Sequence, residues 1–336
     1  MTKRTLIESV LIPHSAFEEA SRRAGQSIDY VSEGGKEPVC LAIVGESRTG
    51  KSRCIESILA RYPTKRTSEG LCVPVLEITV HPKPTVKSLA ESFLKKLGVP
   101  DWDRGTETQK TARLMAFLHE CGVLCLVVDE FHHFYDKTSH KVQHHVADWL
   151  KNVVSQGRVA LIACGLPSLL SVIDQNEQLA GRFGSPVMMP RFNWLDNDHR
   201  AEWLGILAGF DEVLSAHFKM PRLCNLDMGF RCYCATGGLI GYLTNALRQA
   251  VWNALDDGSK RIRLQDLDKA YREAVYRLTR RKIPAGEVTP FDPEWNVMPN
   301  AASVGAAELV GIPVEEAPAK RTRAARALSA TQVLAG

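Results

Sequence analysis

The octapeptide GESRTGKS at residues 45–52 carries the pattern G-x-x-x-x-G-K-[ST], whose physical content is a cradle for phosphate. Backbone N–H groups of such a loop, and of the helix it opens, point at phosphate oxygens. Lys51 is expected to reach the β- and γ-phosphates of a nucleoside triphosphate, and Ser52 to offer its hydroxyl to Mg²⁺. Gly45 and Gly50 allow backbone geometry that a Cβ would obstruct. Glu46, Ser47, Arg48, Thr49 and Arg53 complete the expected binding set, with ATP and Mg²⁺ as cofactors.

A second segment, LCLVVDEFHHF at 124–134, ends an apolar run in two adjacent carboxylates. There Asp129 can sit on the metal's water shell while Glu130 orients and deprotonates an attacking water. That pairing indicates ATP hydrolysis rather than phosphoryl transfer to a metabolite. The transition state of such a reaction carries negative charge that a positioned arginine can neutralise, often from a neighbouring subunit. Arg182, in QLAGRFGSP, is the candidate, with Arg191 as its competitor. The histidines His132, His133, His140, His144 and His145 and the trio Cys224, Cys232 and Cys234 show no complete ligand set at zinc-site spacing. They are read as a solvated helix face and packed thiols.

Elements must hold these groups in place, and their outline is legible. Apolar runs at 40–44, 73–80, 124–128 and 159–164 alternate with helical stretches that start at Lys51 and near Thr85 and 141. Alternation of this kind means an α/β fold, a parallel sheet with helices on both faces. Pro74 suits only a strand start or an edge strand, so the second run is expected at the periphery. From about Asn193 the pattern becomes purely helical, with helices expected near 196–208, 222–236, 240–255 and 264–281. The expected organisation is a leader at 1–38, a nucleotide-binding domain at 39–192, a helical lid at 193–282 and a disordered basic tail at 283–336, where Trp295 and KRTRAAR are read as partner contacts.

Composition bounds the rest. At 336 residues, 45% hydrophobic and 24% charged, the chain can form one large domain and a smaller one. No apolar run approaches the roughly 20 residues of a membrane span, and Glu8 breaks the opening LIESVLI before a signal-peptide core forms. Nine scattered cysteines suit reduced thiols and a cytoplasmic setting. A net charge of +4 does not announce a nucleic-acid binder by itself.

VGESRTGKS, the LVVDE strand, the IACG strand, EQLAGRF and ATGGLIGYLTNALRQA, in this order and spacing over residues 20 to 280, resemble the AAA+ ATPases of transposons, the TniB and TnsC proteins. The resemblance implies an AAA+ core with a five-stranded parallel sheet and a small helical lid. It implies ATP held between subunits of a homo-oligomer, assembled as a ring or helical filament on double-stranded DNA, and hydrolysis that disassembles it. It further implies a transposase and a TniQ-like target selector as partners, and no membrane. The family's inter-subunit arginine maps to Arg182, and its DNA-facing segment to HPKPTVKSL, placing Lys83, Thr85 and Lys87 toward phosphates, with Arg104 and Thr106 as a second strip.

Two departures from the family pattern stand out. Gly165-Leu166-Pro167 occupies the place of a polar sensor, and Gly241-Tyr242 the place where relatives carry arginine after a glycine. Either Arg248, two turns further on, substitutes for the second sensor or hydrolysis is slow. Two rival readings share the same core: a signalling or defence NTPase switch, and a helicase-loader-like insertion-sequence helper.

Overall fold

The computed structural model describes residues 3–68, 70–81, 84–136, 140–275 and 288–310. Its centre is a sheet of five parallel strands: β1 (Leu41–Val44), β4 (Val75–Thr79), β5 (Cys125–Asp129), β6 (Ala160–Gly165) and β7 (Val187–Met188), in the order β4-β5-β6-β1-β7. Every residue of β1, β5 and β6 is buried, which is why these strands read as unbroken apolar runs. Pro74 precedes β4, and β4 is an edge strand as expected. Two further short strands, β2 (Lys65–Thr67) and β3 (Gly70–Cys72), form a separate hairpin.

Helices cover both faces of the sheet. On one side lie α1 (Ser15–Ser32) and α2 (Lys51–Arg61), whose Phe17, Ala24, Ile28, Cys54 and Ile58 share a core with β1 and β6. On the other lie α3 (Val86–Lys96), α4 (Glu107–Glu120) and α6 (His140–Gly157), joined to the sheet through Phe93, Leu114 and Leu150. The short helices α5 (His133–Asp136), α7 (Leu169–Ile173) and α8 (Glu177–Ala180) fill the connections. Between the second run and β5 the chain thus forms two helices where the sequence shows one. The overlooked α4 buries few residues of its own, but Thr106 caps it by accepting from Gln109 N–H while Gln109 Oε1 accepts from Thr106 N–H.

The lid consists of α9 (Asn197–Ser215), α10 (Leu226–Thr236), α11 (Ile240–Asp256) and α12 (Leu264–Ala274). Trp203, Tyr233 and Leu247 anchor its core. The first of these helices runs beyond the expected end at 208 because Ile206, Leu207, Phe210 and Leu214 continue one buried stripe.

Two expected boundaries change. The leader is not separate, since α1 is integral to the sheet's core and Ile7 belongs to the lid's core. Residues 288–310, placed in the tail, pack on the lid and end in α13 (Ala301–Glu308). Arg231 explains why. Its guanidinium donates to the carbonyls of Pro290 (2.9 Å), Asp292 (2.9 Å) and Trp295 (3.0 Å) and lies 5.0 Å from the Trp295 ring centroid. Trp295, expected to meet a partner, is 9% exposed and packs on Phe230 of its own chain. The KRTRAAR run lies outside the described residues. Among the described residues no helix is long and apolar enough to cross a membrane.

Candidate nucleotide site

The loop between β1 and α2 is built by backbone as much as by side chains. Gly50 has φ +99°, a left-handed conformation that glycine adopts without strain, and directly precedes the helix start at Lys51. Arg48 is left-handed as well, at φ 72°. Gly45 N–H donates to Gly165 O at 3.1 Å, which ties the loop to the end of β6. Thr49, buried, donates its hydroxyl to Glu46 O at 2.9 Å. Lys51 is also buried, and its ammonium donates to the carbonyls of Gly45 (2.8 Å) and Glu46 (2.7 Å). Burial holds its pKa below the usual lysine value, opposed by the charges of Glu130 and Asp129.

Asp129 closes β5 opposite Thr79 of β4. Burial lifts its pKa above the ordinary carboxylate value; the N–H of Glu130, donating to Asp129 Oδ1 at 2.8 Å, opposes this, the neighbouring Glu130 charge adds to it, and Lys51 again opposes it. A buried carboxylate pushed toward neutrality beside a second carboxylate is the environment a divalent cation relieves. The oxygen donors of Asp129 and Ser52, the latter exposed at the start of α2, are of the hard kind Mg²⁺ prefers. Glu130 itself has φ +55°, so the chain turns sharply at the catalytic candidate before Phe131 N–H rejoins β6 by donating to Cys164 O at 2.9 Å. The expectation of a solvated histidine face fails at His132, which is 5% exposed. The side chain of His140 lies outside the described residues, and His145 pairs with Glu107 at 2.8 Å.

Above the loop opens a cavity of about 390 Å³, whose apolar walls sequence reading missed. Ile7, Val10, Ile12 and Phe17 of the N-terminal segment line it, together with Ile206 and Phe210 of the lid and the polar side chains of Arg48, Arg53 and Arg248. The signal was present in the apolar residues of LIESVLI, which face this cavity and the lid core. Arg248 Nε lies 2.5 Å from Glu8 Oε1, so the proposed substitute sensor is anchored to the N-terminal segment.

The lid touches the loop directly. Gly241 N–H donates to Arg48 O at 2.8 Å, and the Arg48 guanidinium lies 5.9 Å from the Tyr242 ring centroid. A Cβ at Gly241 would sit 2.9 Å from Arg48 Cβ and 3.0 Å from Arg48 Cα, the latter a backbone atom. Gly241→Ala is therefore expected to push the lid off the loop at a cost of roughly 1–3 kcal/mol. Titration with a fluorescent ATP analogue should show correspondingly weaker binding; an unchanged Kd would mean that the loop–lid contact does not bear on nucleotide binding.

The sequence matches the family described as Bacterial TniB protein over residues 4–194. The chain belongs to the TniB family. Among solved structures, this TniB-family chain is similar to the Aeropyrum pernix ORC2 protein in ADPNP-ADP complexes, with 15% identity, a TM-score of 0.60, and coverage of 83% of this chain and 75% of that one. It is likewise similar to Cdc6p from Pyrobaculum aerophilum, with 15% identity, a TM-score of 0.59, and coverage of 80% and 70%. The Aeropyrum pernix ORC1 protein in complex with DNA follows at 16% identity, a TM-score of 0.55, and coverage of 81% and 70%. At these identities the likeness shows the fold alone, that of a P-loop ATPase. No curated protein matches the chain.

In this TniB-family fold the two arginines part company. Arg191 is committed within its own chain: Nε and Nη2 grip the Glu46 carboxylate, the shortest contact being 2.6 Å, while Nη1 donates to Gly237 O (2.8 Å) and Val310 O (3.1 Å). That excludes it as the inter-subunit arginine in this arrangement. Arg182 lies away from the loop of its own chain, at the start of β1, where its carbonyl accepts from Cys40 N–H at 2.9 Å.

The two expected DNA strips flank α3. Thr85 and Lys87 stand at the start of α3, whereas Arg104 and Thr106 follow its end, where Lys95 lies 5.0 Å from the Trp102 ring centroid. The helix between them has 11 residues, about 16 Å at 1.5 Å per residue. Thr85, like Thr106, is a helix cap, accepting from Ser88 N–H at 3.1 Å. Lys87 is exposed, Arg104 pairs with Asp101 at 3.4 Å, and Lys83 lies outside the described residues.

Proposed function

We propose that this chain is an ATP-driven regulator of transposition that assembles on double-stranded target DNA and links a target selector to the transposase, with hydrolysis driving disassembly. The observation that carries the reading is the hydrogen bond from Gly241 N–H to Arg48 O, which joins the phosphate loop to the lid in a TniB-family chain. In this proposal a ligand in the loop acts on that contact and, through the lid, on how protomers meet. That the ORC1 protein, similar in fold, was solved in complex with DNA supports DNA as a partner.

In this mechanism the loop N–H groups and Lys51 bind the triphosphate, and Lys51 exchanges its loop carbonyls for phosphate oxygens. Asp129 and Ser52 would hold a Mg²⁺ ion, which would supply neutralisation of the phosphate charge. Glu130 accepts a proton from the attacking water, and Arg182 of an adjacent protomer stabilises charge developing on the γ-phosphate. The apolar cavity walled by Ile7, Ile12 and Phe210 takes the adenine.

Fluorescence anisotropy with duplex DNA tests the proposal. Affinity should rise on the order of 5- to 150-fold with a non-hydrolysable ATP analogue, and identical binding with and without the analogue would contradict it. Lys87→Ala should weaken binding to all duplex sequences alike and flatten the log–log salt slope by about one unit. An unchanged slope removes Lys87 from the DNA contacts.

A further inference from the structure

The place expected to hold a polar sensor, at the end of β6, is filled from the neighbouring strand. A Cβ on Gly165 would lie 3.0 Å from His132 Nδ1 and 3.2 Å from His132 N, so the small residue leaves room for the imidazole. His132 is buried, and Leu166 N–H donates to its Nδ1 at 3.4 Å. A nitrogen that accepts carries no proton, so in the neutral ring the proton sits on Nε2. That nitrogen lies 3.3 Å from Glu130 Oε2. A continuous path thus runs from the backbone after β6, through one imidazole, to the carboxylate at the end of β5.

A metal reading of the same cluster fails on this geometry. Glu130, His132 and His133 bring ligand atoms within 4.8 Å of one another, and two imidazoles with a carboxylate form a plausible zinc donor set. Coordination through Nε2 of a neutral His132 would move its proton to Nδ1, where it would oppose the Leu166 N–H donor. Two donors facing each other in a buried place are costly. The arrangement suits a proton donor to Glu130, not a cation.

We propose that His132 is a positioning residue for Glu130, standing in for the missing sensor: its Nε2–H holds the carboxylate in one orientation and ties that orientation to the end of β6. The inference rests on Glu130 being the hydrolytic base. The Glu130 side chain is 42% exposed, so without such a donor it is free to sample several rotamers. A charge-assisted hydrogen bond selects one, and small misplacements of a reacting group are expensive in rate. Gly45 N–H bonds Gly165 O at 3.1 Å, so the strand end that carries the Leu166 donor also contacts the phosphate loop. His132 thereby places the loop and the base in one hydrogen-bonded frame.

Steady-state ATP turnover of His132→Leu and His132→Gln, each in the wild-type and Glu130→Gln backgrounds, tests the role. His132→Leu should lower kcat about 10- to 100-fold with KM for ATP unchanged. His132→Gln, whose amide can still donate to Glu130, should retain most activity. In the Glu130→Gln background His132→Leu should cause no further loss; equal losses in both backgrounds would reduce His132 to packing and overturn the proposal. Nitrogen-15 NMR of the wild-type imidazole provides a readout that needs no variant to fold: the Nε2–H tautomer is expected, and the Nδ1–H tautomer overturns the proposal. Wild-type protein that binds ATP without ever hydrolysing it would sink the reading of Glu130 and this role together. Wild-type turnover with normal kcat in His132→Leu would sink the role alone.

Discussion

Glu130→Gln is expected to bind ATP and to retain it uncleaved. The amide preserves the size of the side chain and the sharp turn at φ +55°, but it cannot accept the proton of the attacking water. Loss of a general base of this kind costs about 10²- to 10⁴-fold in kcat. Because the substitution leaves the phosphate loop intact, assembly on DNA should proceed and then persist. Single-turnover measurement of phosphate release alongside filter binding of labelled ATP separates the two effects. Undiminished turnover would show that Glu130 is not the base, and lost nucleotide binding would show that its carboxylate serves the loop instead.

Lys51→Ala is expected to abolish nucleotide-dependent behaviour altogether. Lys51 is buried and its charge interacts with both Asp129 and Glu130. Removing one partner of a buried charged group typically costs about 2–5 kcal/mol, which in ATP affinity is roughly 30- to 5000-fold. The same change should alter how stability depends on pH. The folded-state pKa of Asp129 is already raised, chiefly by burial, and Lys51 is one of the groups holding it down. A carboxyl whose folded pKa exceeds its unfolded value makes folding less favourable as pH rises through the interval between them. Lys51→Ala widens that interval, so its Tm should fall further below wild type at neutral pH than at mildly acidic pH. Parallel Tm curves across that range would mean that Lys51 does not offset the charge of Asp129.

The parts of the site legible in the sequence are those made by neighbours in the chain. Gly45 to Ser52 form a contiguous loop, and Asp129 and Glu130 follow directly from the strand that aims them, so residue type and spacing carry the information. What stayed hidden depends on pairings across long stretches of sequence. Arg191 reads as a free cation until Glu46, Gly237 and Val310 are folded around it. Residues 288–310 read as a tail because their Pro, Ala and Gly content lacks a periodic apolar face, yet Arg231 collects their carbonyls and Phe291 and Trp295 complete the lid's core.

His132 was hidden because Leu166, which follows β6, meets it only in the fold, beside Glu130 at the end of β5. Thr85 and Thr106 carried a local signal that was read differently. Each precedes by three residues a side chain able to return the hydrogen bond, Ser88 and Gln109, and this capping pattern marks a helix start whether or not DNA is nearby.

The proposed function requires that ATP in the loop of Gly45 to Ser52 create the surface by which protomers assemble along a double helix. Electron microscopy of the purified chain with linear duplex DNA, with and without a non-hydrolysable ATP analogue, tests it most directly. Ordered rings or filaments are expected on the DNA only when the analogue is present, and none with Lys51→Ala. Isolated protomers under every condition, or assemblies indifferent to the analogue, would contradict it.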